Sequence, residues 1–94
     1  MTAPLGPAAI PTFPRHVRFQ FDAVRERWVV LAPERMFVPD EQAVEILKLV
    51  DGARTVQAIA AELAARYEAP EDVVLADVAL MLADLAARGA LQAA

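Results

Sequence analysis

The apolar pattern of this chain changes period once, at Pro39, and that change constrains the fold more than any other feature. From His16 onward, apolar and polar residues alternate strictly: Val17, Phe19 and Phe21 against Arg18, Gln20 and Asp22. A period of two marks a strand with one buried face. The polar run Asp22–Arg27 predicts a turn, and Trp28–Ala32, rich in β-branched residues, predicts a second strand. Pro33 ends that strand because proline has no N–H for a ladder. Arg35–Val38 is then a short third strand, bracketed by Pro33 and Pro39. The connections are too short for crossovers, so the three strands form an antiparallel meander.

Beyond Pro39 the period is helical. Asp40 is placed to cap a helix running to about Val50, with Ala43, Ile46, Leu47 and Val50 as its apolar stripe. Asp51-Gly52 stops it. Thr55 caps a second helix carrying Val56, Ile59, Ala60, Leu63 and Tyr67 at three- and four-residue spacing. Pro70, Glu71 and Asp72 open a third, where proline fits the first turn and acids suit the positive end of the dipole. Gly89 ends it after Arg88, with Leu91 just beyond as a hydrophobic clasp. The expected class is α+β: a three-stranded antiparallel β-meander followed by a three-helix bundle, winged helix-turn-helix-like.

Composition limits what such a domain can do. With 94 residues and no cysteine, one small core must hold by packing alone, without disulfides or thiolate metal sites. Residues 1–14 hold four of the seven prolines, which predicts a flexible Pro/Ala-rich tail or linker ahead of a domain spanning residues 15–94. Phe13 is a candidate to dock at its end. The stretch lacks a basic n-region, which argues against a secretory signal. No run reaches the roughly 20 apolar residues of a membrane span. A cytoplasmic location without membrane contact is expected.

Catalysis has few residues to work with. The single histidine, His16, lies at a strand mouth beside Arg15, and paired carboxylates such as Glu71–Asp72 and Asp77–Asp84 fall where solvated charge is the ordinary explanation. Neither a nucleophile–base pair nor a Gly-rich phosphate loop is present. No enzyme activity, metal or cofactor is expected. The alternative suggested by the architecture is a winged-helix DNA-binding protein, and charge argues against it. Residues 1–40 carry five arginines against four acids, net +1, whereas residues 41–94 carry four basic residues against nine acids, net −5. A third helix bearing Glu71, Asp72, Asp77 and Asp84 against Arg88 alone repels phosphate.

On that helix Val74, Leu75, Val78, Met81, Leu82 and Leu85 form one broad stripe. Leu80 projects about 160° from its centre and Val73 about 140°. These two share a side face with Asp77, Asp84 and Arg88, making a second apolar strip rimmed by acids and open to a partner. The short strand Arg35–Val38 adds to this reading. If it is the last of the meander, its outer backbone groups are free to pair with an incoming peptide. Met36 is a flexible filler suited to an adjoining groove. The same edge would also accept a second copy of the chain, giving a homodimer.

The PER of Pro33–Arg35, the EIL of Glu45–Leu47 and the DGxRTVxxIxxxL of Asp51–Leu63 resemble the PqqD family. So do the DVxxxLxxLxxRGxL of Asp77–Leu91 and the opening PRxVRFxFD from Pro14. The resemblance covers about residues 14–92, in order and spacing. It implies a non-catalytic peptide chaperone of pyrroloquinoline quinone biosynthesis, the founding type of recognition element for ribosomally made, modified peptides. Such a domain captures a leader peptide as an added strand and presents the precursor to a radical S-adenosylmethionine enzyme. By that resemblance the peptide-binding residues are Arg35, Met36, Phe37 and Val38 on the strand. On the facing helix they are Val73, Asp77, Leu80, Met81 and Asp84. The chain departs from the family where Leu-Asn and then Ser usually precede the EIL helix. It has Val38-Pro39, then Asp40 and Gln42, and Pro39 removes one donor at the strand's end. Some relatives are fused to the enzyme that completes the cofactor, a context in which the Pro/Ala-rich start would suit a former linker.

Overall fold

A computed structural model describes residues 5–94. β1 is Pro11–Thr12, β2 Arg18–Asp22, β3 Arg27–Ala32 and β4 Arg35–Phe37; α1 is Glu41–Leu47, α2 Val56–Tyr67, α3 Glu71–Ala87 and β5 Gln92–Ala93. The three-stranded antiparallel sheet has the order β2-β3-β4. Cross-strand partners Phe19↔Val30 and Val30↔Phe37 share one face and pack on the helices, while Arg18, Leu31 and Met36 share the other. The fold is α+β, with the meander and three helices that the change of period predicts.

The helix caps follow from single residues. Asp40 Oδ1 accepts the Ala43 N–H at 2.8 Å and Thr55 Oγ1 accepts the Ala58 N–H at 3.0 Å, each satisfying one unpaired donor of a first turn. At the end of α3, Gly89 takes φ +81°, its N–H donates to the Ala86 carbonyl, and the Ala90 N–H donates to that of Leu85. This pair of bonds is the Schellman arrangement, and it turns the chain so that Ala90 and Leu91 become buried. Val56, Ile59, Val78 and Leu82 are almost wholly enclosed between α2 and α3 and form the centre of the core.

Two boundaries and the burial of one residue differ from expectation. α1 stops at Leu47, and the Leu49 and Val50 N–H groups bond three residues back, tightening the last turn. Tyr67 ends α2 and is 60% exposed, so it leaves the apolar stripe that its spacing assigns it. The largest correction concerns the start of the chain, read as a flexible tail over residues 1–14. Met1–Pro4 lie outside the described residues, but from Leu5 onward the segment packs. Leu5 is 4% exposed within the core, and Phe13 stacks on Phe19 with ring centroids 5.9 Å apart. β1 pairs with β5, and the Pro7 and Ala9 carbonyls accept the Gln57 and Val56 N–H groups in the first turn of α2. The acceptors that make this strap are carbonyls, which prolines also possess, and its partners lie more than 40 residues away in sequence. Local periodicity contains no sign of either.

Candidate functional site

β4 is an edge of the sheet, and its register decides which backbone groups are free. The two-residue turn Pro33–Glu34 makes Ala32 and Arg35 the closing pair. Antiparallel strands alternate inward- and outward-bonding residues, so Arg35 and Phe37 spend their N–H and C=O groups on β3. Met36, and Val38 by the same alternation, direct theirs away from the sheet. Pro39 falls in the inward phase, so the donor it lacks is not one that the open edge would offer. The donor that Pro39 removes at the strand's end is therefore one of the β3-facing phase.

Side chains separate the nine candidate residues into groups. Arg35, Met36 and Val38 are exposed, whereas Phe37 is half-buried against the core. The Met36 side chain points to the outer face of the sheet, beside Leu31, with its Sδ 4.0 Å from Arg25 Nη1. It therefore does not fill a groove on the helical side, as expected, because odd and even residues of a strand face opposite ways. On α3, Val73 is 54% and Leu80 74% exposed, one above the other at seven-residue spacing, with Asp77 and Asp84 exposed beside them. Met81 turns inward and is half-buried against the core. Asp84 is held by Arg88 at 3.3 Å, while Asp77 has no cation within 4 Å among the described residues.

A feature that the sequence reading missed lies where β4 meets the helices. A cavity of about 780 Å³ opens at that end of the sheet, with Phe21 and Trp28 on one wall, α1 on a second, and Val74, Asp77 and Val78 of α3 on a third. Pro39, the residue after Val38, lines it too, so the strand end and α3 share one cleft. Of the nine candidates only Asp77 reaches this lining. The ring of Trp28 is fixed by stacking on Phe19 at 4.8 Å, by an edge contact with Phe21 at 5.7 Å, and by Lys48 Nζ lying 5.2 Å above it. Alternation alone could have flagged Phe21 and Trp28 as same-face partners, but not that the helices leave space beside them.

The charged groups are partitioned. Every cation of residues 41–94 has a carboxylate within 4 Å: Lys48 with Glu45, Arg54 with Asp51, Arg66 with Glu45 and Glu62, and Arg88 with Asp84. Among the described residues, Arg25 alone of the five sheet-side arginines is paired, with Asp22 at 2.9 Å. Backbone N–H donation from Arg25, followed by its guanidinium, holds the Asp22 carboxyl below the usual range. Donation from the Arg54 and Ala53 N–H groups lowers that of Asp51 in the same way. Both carboxylates brace turns.

The fold and the open edge together define a small α+β domain of winged-helix-like build whose last meander strand is unpartnered on one side among the described residues. The chain belongs to the PqqD family: the family model described as coenzyme PQQ synthesis protein D (PqqD) matches residues 27–91. A PqqA binding protein of Bradyrhizobium diazoefficiens is 50% identical over 82 residues, 87% of this chain and 80% of that protein. One from Rhodopseudomonas palustris strain TIE-1 is 57% identical over 79 residues, 84% of this chain and 78% of its own. The bifunctional coenzyme PQQ synthesis protein C/D of Methylorubrum extorquens is 48% identical across 88% of this chain, which matches 22% of that longer protein. The solution structure of the PqqD portion of the Methylobacterium extorquens PqqCD protein, described as a stand-alone recognition element for ribosomally synthesized and post-translationally modified peptides, superposes with a TM-score of 0.73. It shares 46% identity, covering 92% of this chain and 97% of that one.

Proposed function

We propose that this chain is a non-catalytic peptide chaperone that binds the precursor peptide PqqA as an added strand on β4. The observation that carries the reading is the outward phase of Met36 and Val38 at an unpaired edge, in a molecule whose α3 also exposes Val73 and Leu80. Backbone pairing would supply affinity, and the side chains of α3 would select the sequence. The names of the relatives support PqqA as the ligand. The bound precursor would then be presented to a radical S-adenosylmethionine enzyme, and the chemistry would belong to that partner. No helix among the described residues is long and apolar enough to cross a membrane. A cytoplasmic site of action fits a precursor made on ribosomes.

The test is a titration of synthetic PqqA into the ¹⁵N-labelled chain. The amides of Met36 and Val38 and those between Val73 and Asp84 should shift together and saturate. Shifts confined to other surfaces would refute the strand-addition reading. Shifts of the same amides on raising protein concentration without peptide would assign the edge to a homodimer instead.

A further inference from the structure

We infer that the cavity beside Trp28 is a second peptide subsite, which takes an apolar side chain of the bound precursor together with a neighbouring basic residue. The inference rests on the strand-addition reading above and extends it beyond the edge and the outer face of α3. Three observations lead to it. The first is continuity: Pro39 lines the cavity and directly follows Val38, so a strand paired with Met36 and Val38 runs into the opening at one end. At about 3.3 Å per residue, a peptide reaches it one or two residues beyond its last backbone bond.

The second observation is shape and polarity. At about 780 Å³ the cavity has room for more than one side chain, since pockets of roughly 300–1,000 Å³ enclose drug-sized groups. Its walls combine the rings of Phe21, Trp28 and Tyr67 with Val74 and the buried Leu63. Phe21 and Tyr67 are 51% and 60% exposed and, with Val74, border the same opening, a grouped apolar rim rather than a single scattered ring.

The third observation is charge. Glu26, Glu41 and Asp77 reach the lining with no cation within 4 Å among the described residues, against a single unpaired cation, Arg27. Glu45 and Lys48 neutralise one another at 3.6 Å, and Lys48 already lies over the indole. An incoming cation therefore meets the acids of the rim rather than the ring. The excess of uncompensated acid favours a Lys- or Arg-bearing segment and disfavours an acidic one.

The chain contains one tryptophan, so its indole N–H gives a single resonance from the wall of this cavity. In the PqqA titration, the Trp28 indole and the Val74 amide should shift with the same dissociation constant as Met36 and Val38. If Met36 and Val38 shift while the indole stays fixed, the second subsite is wrong and the edge reading stands. If neither region responds, both fail. An indole shift produced by protein concentration without peptide would assign the cavity to a second copy and overturn the inference. The charge component is tested with Glu41→Lys, an exposed rim position off the strand edge. At low salt it should weaken PqqA binding about two- to fivefold, the size of a partly screened surface interaction, with the difference shrinking as salt rises. Unchanged affinity in a variant whose spectrum is otherwise native would remove the basic residue from the proposal.

Discussion

α2 and α3 lie against one another and share the core, yet their outer surfaces are used differently. α2 begins with a side-chain cap from Thr55 and, up to the exposed Tyr67 at its last position, shows small, polar or charged residues to solvent, with Arg66 reaching both Glu62 and Glu45. α3 begins at Pro70 without a side-chain cap and leaves Val73 and Leu80 in water. Apart from Tyr67, which borders the cavity, the named features of α2 act on the chain's own stability. On α3 only the inner face does so, and the outer apolar pair has no partner within the described residues. Two helices of equal standing in the fold thus separate a surface that serves folding from one left available for recognition.

The contrast predicts unequal responses to substitution. The largest should come from the shared core: Leu82→Ala on the inner face of α3, or Ile59→Ala on α2, should cost about 2–5 kcal/mol in chemical denaturation. Leu80→Asp, two residues from Leu82 but on the outer face, should leave stability within about 0.5 kcal/mol. The same change should weaken PqqA binding about tenfold in a calorimetric titration, the equivalent of about 1.4 kcal/mol. Loss of cooperative unfolding in Leu80→Asp would make the outer face of α3 part of the core and erase the comparison.

Smaller effects sharpen it. Thr55→Ala should destabilise by about 1 kcal/mol through loss of the cap on the Ala58 N–H, with PqqA affinity unchanged once folding is intact. The smallest effect concerns Asp51, whose carboxyl is held below its normal range by the Arg54 and Ala53 N–H groups that lead into α2. A lowered folded pKa gives a contribution that is complete above the unfolded aspartate value of about 4 and is lost as pH falls through the folded one. Stability measured from pH 5 downward should therefore decline less steeply in Asp51→Asn than in the unaltered chain.

Much of the fold was legible because its information is local. The alternation of Val17, Phe19 and Phe21, the proline brackets of β4, and the caps Asp40 and Thr55 all act within a few residues of themselves. The outward position of Leu80 was also legible, since 100° per residue is a property of any helix. The strap from Leu5 to Thr12 was not, because its bonds reach α2 and the C-terminus rather than its neighbours. The orientation of Met36 could have been read from strand parity, but apolar character and flexibility drew attention instead. The cavity was out of reach for another reason: empty space depends on how three elements fail to meet, and no single residue records it.

What the sequence determined alone, then, was the set of elements, their caps, the charge division at Pro39 and the family to which the chain belongs. These depend on backbone propensity, side-chain period and ordered motifs, all carried by short stretches. Only the tertiary structure decided which backbone groups of β4 remain open, which of the candidate side chains turn inward, and that Trp28, Pro39 and Asp77 line one cleft. Those outcomes depend on register and on the separation between packed elements, where a shift of one residue or a few ångströms reverses which groups face a ligand.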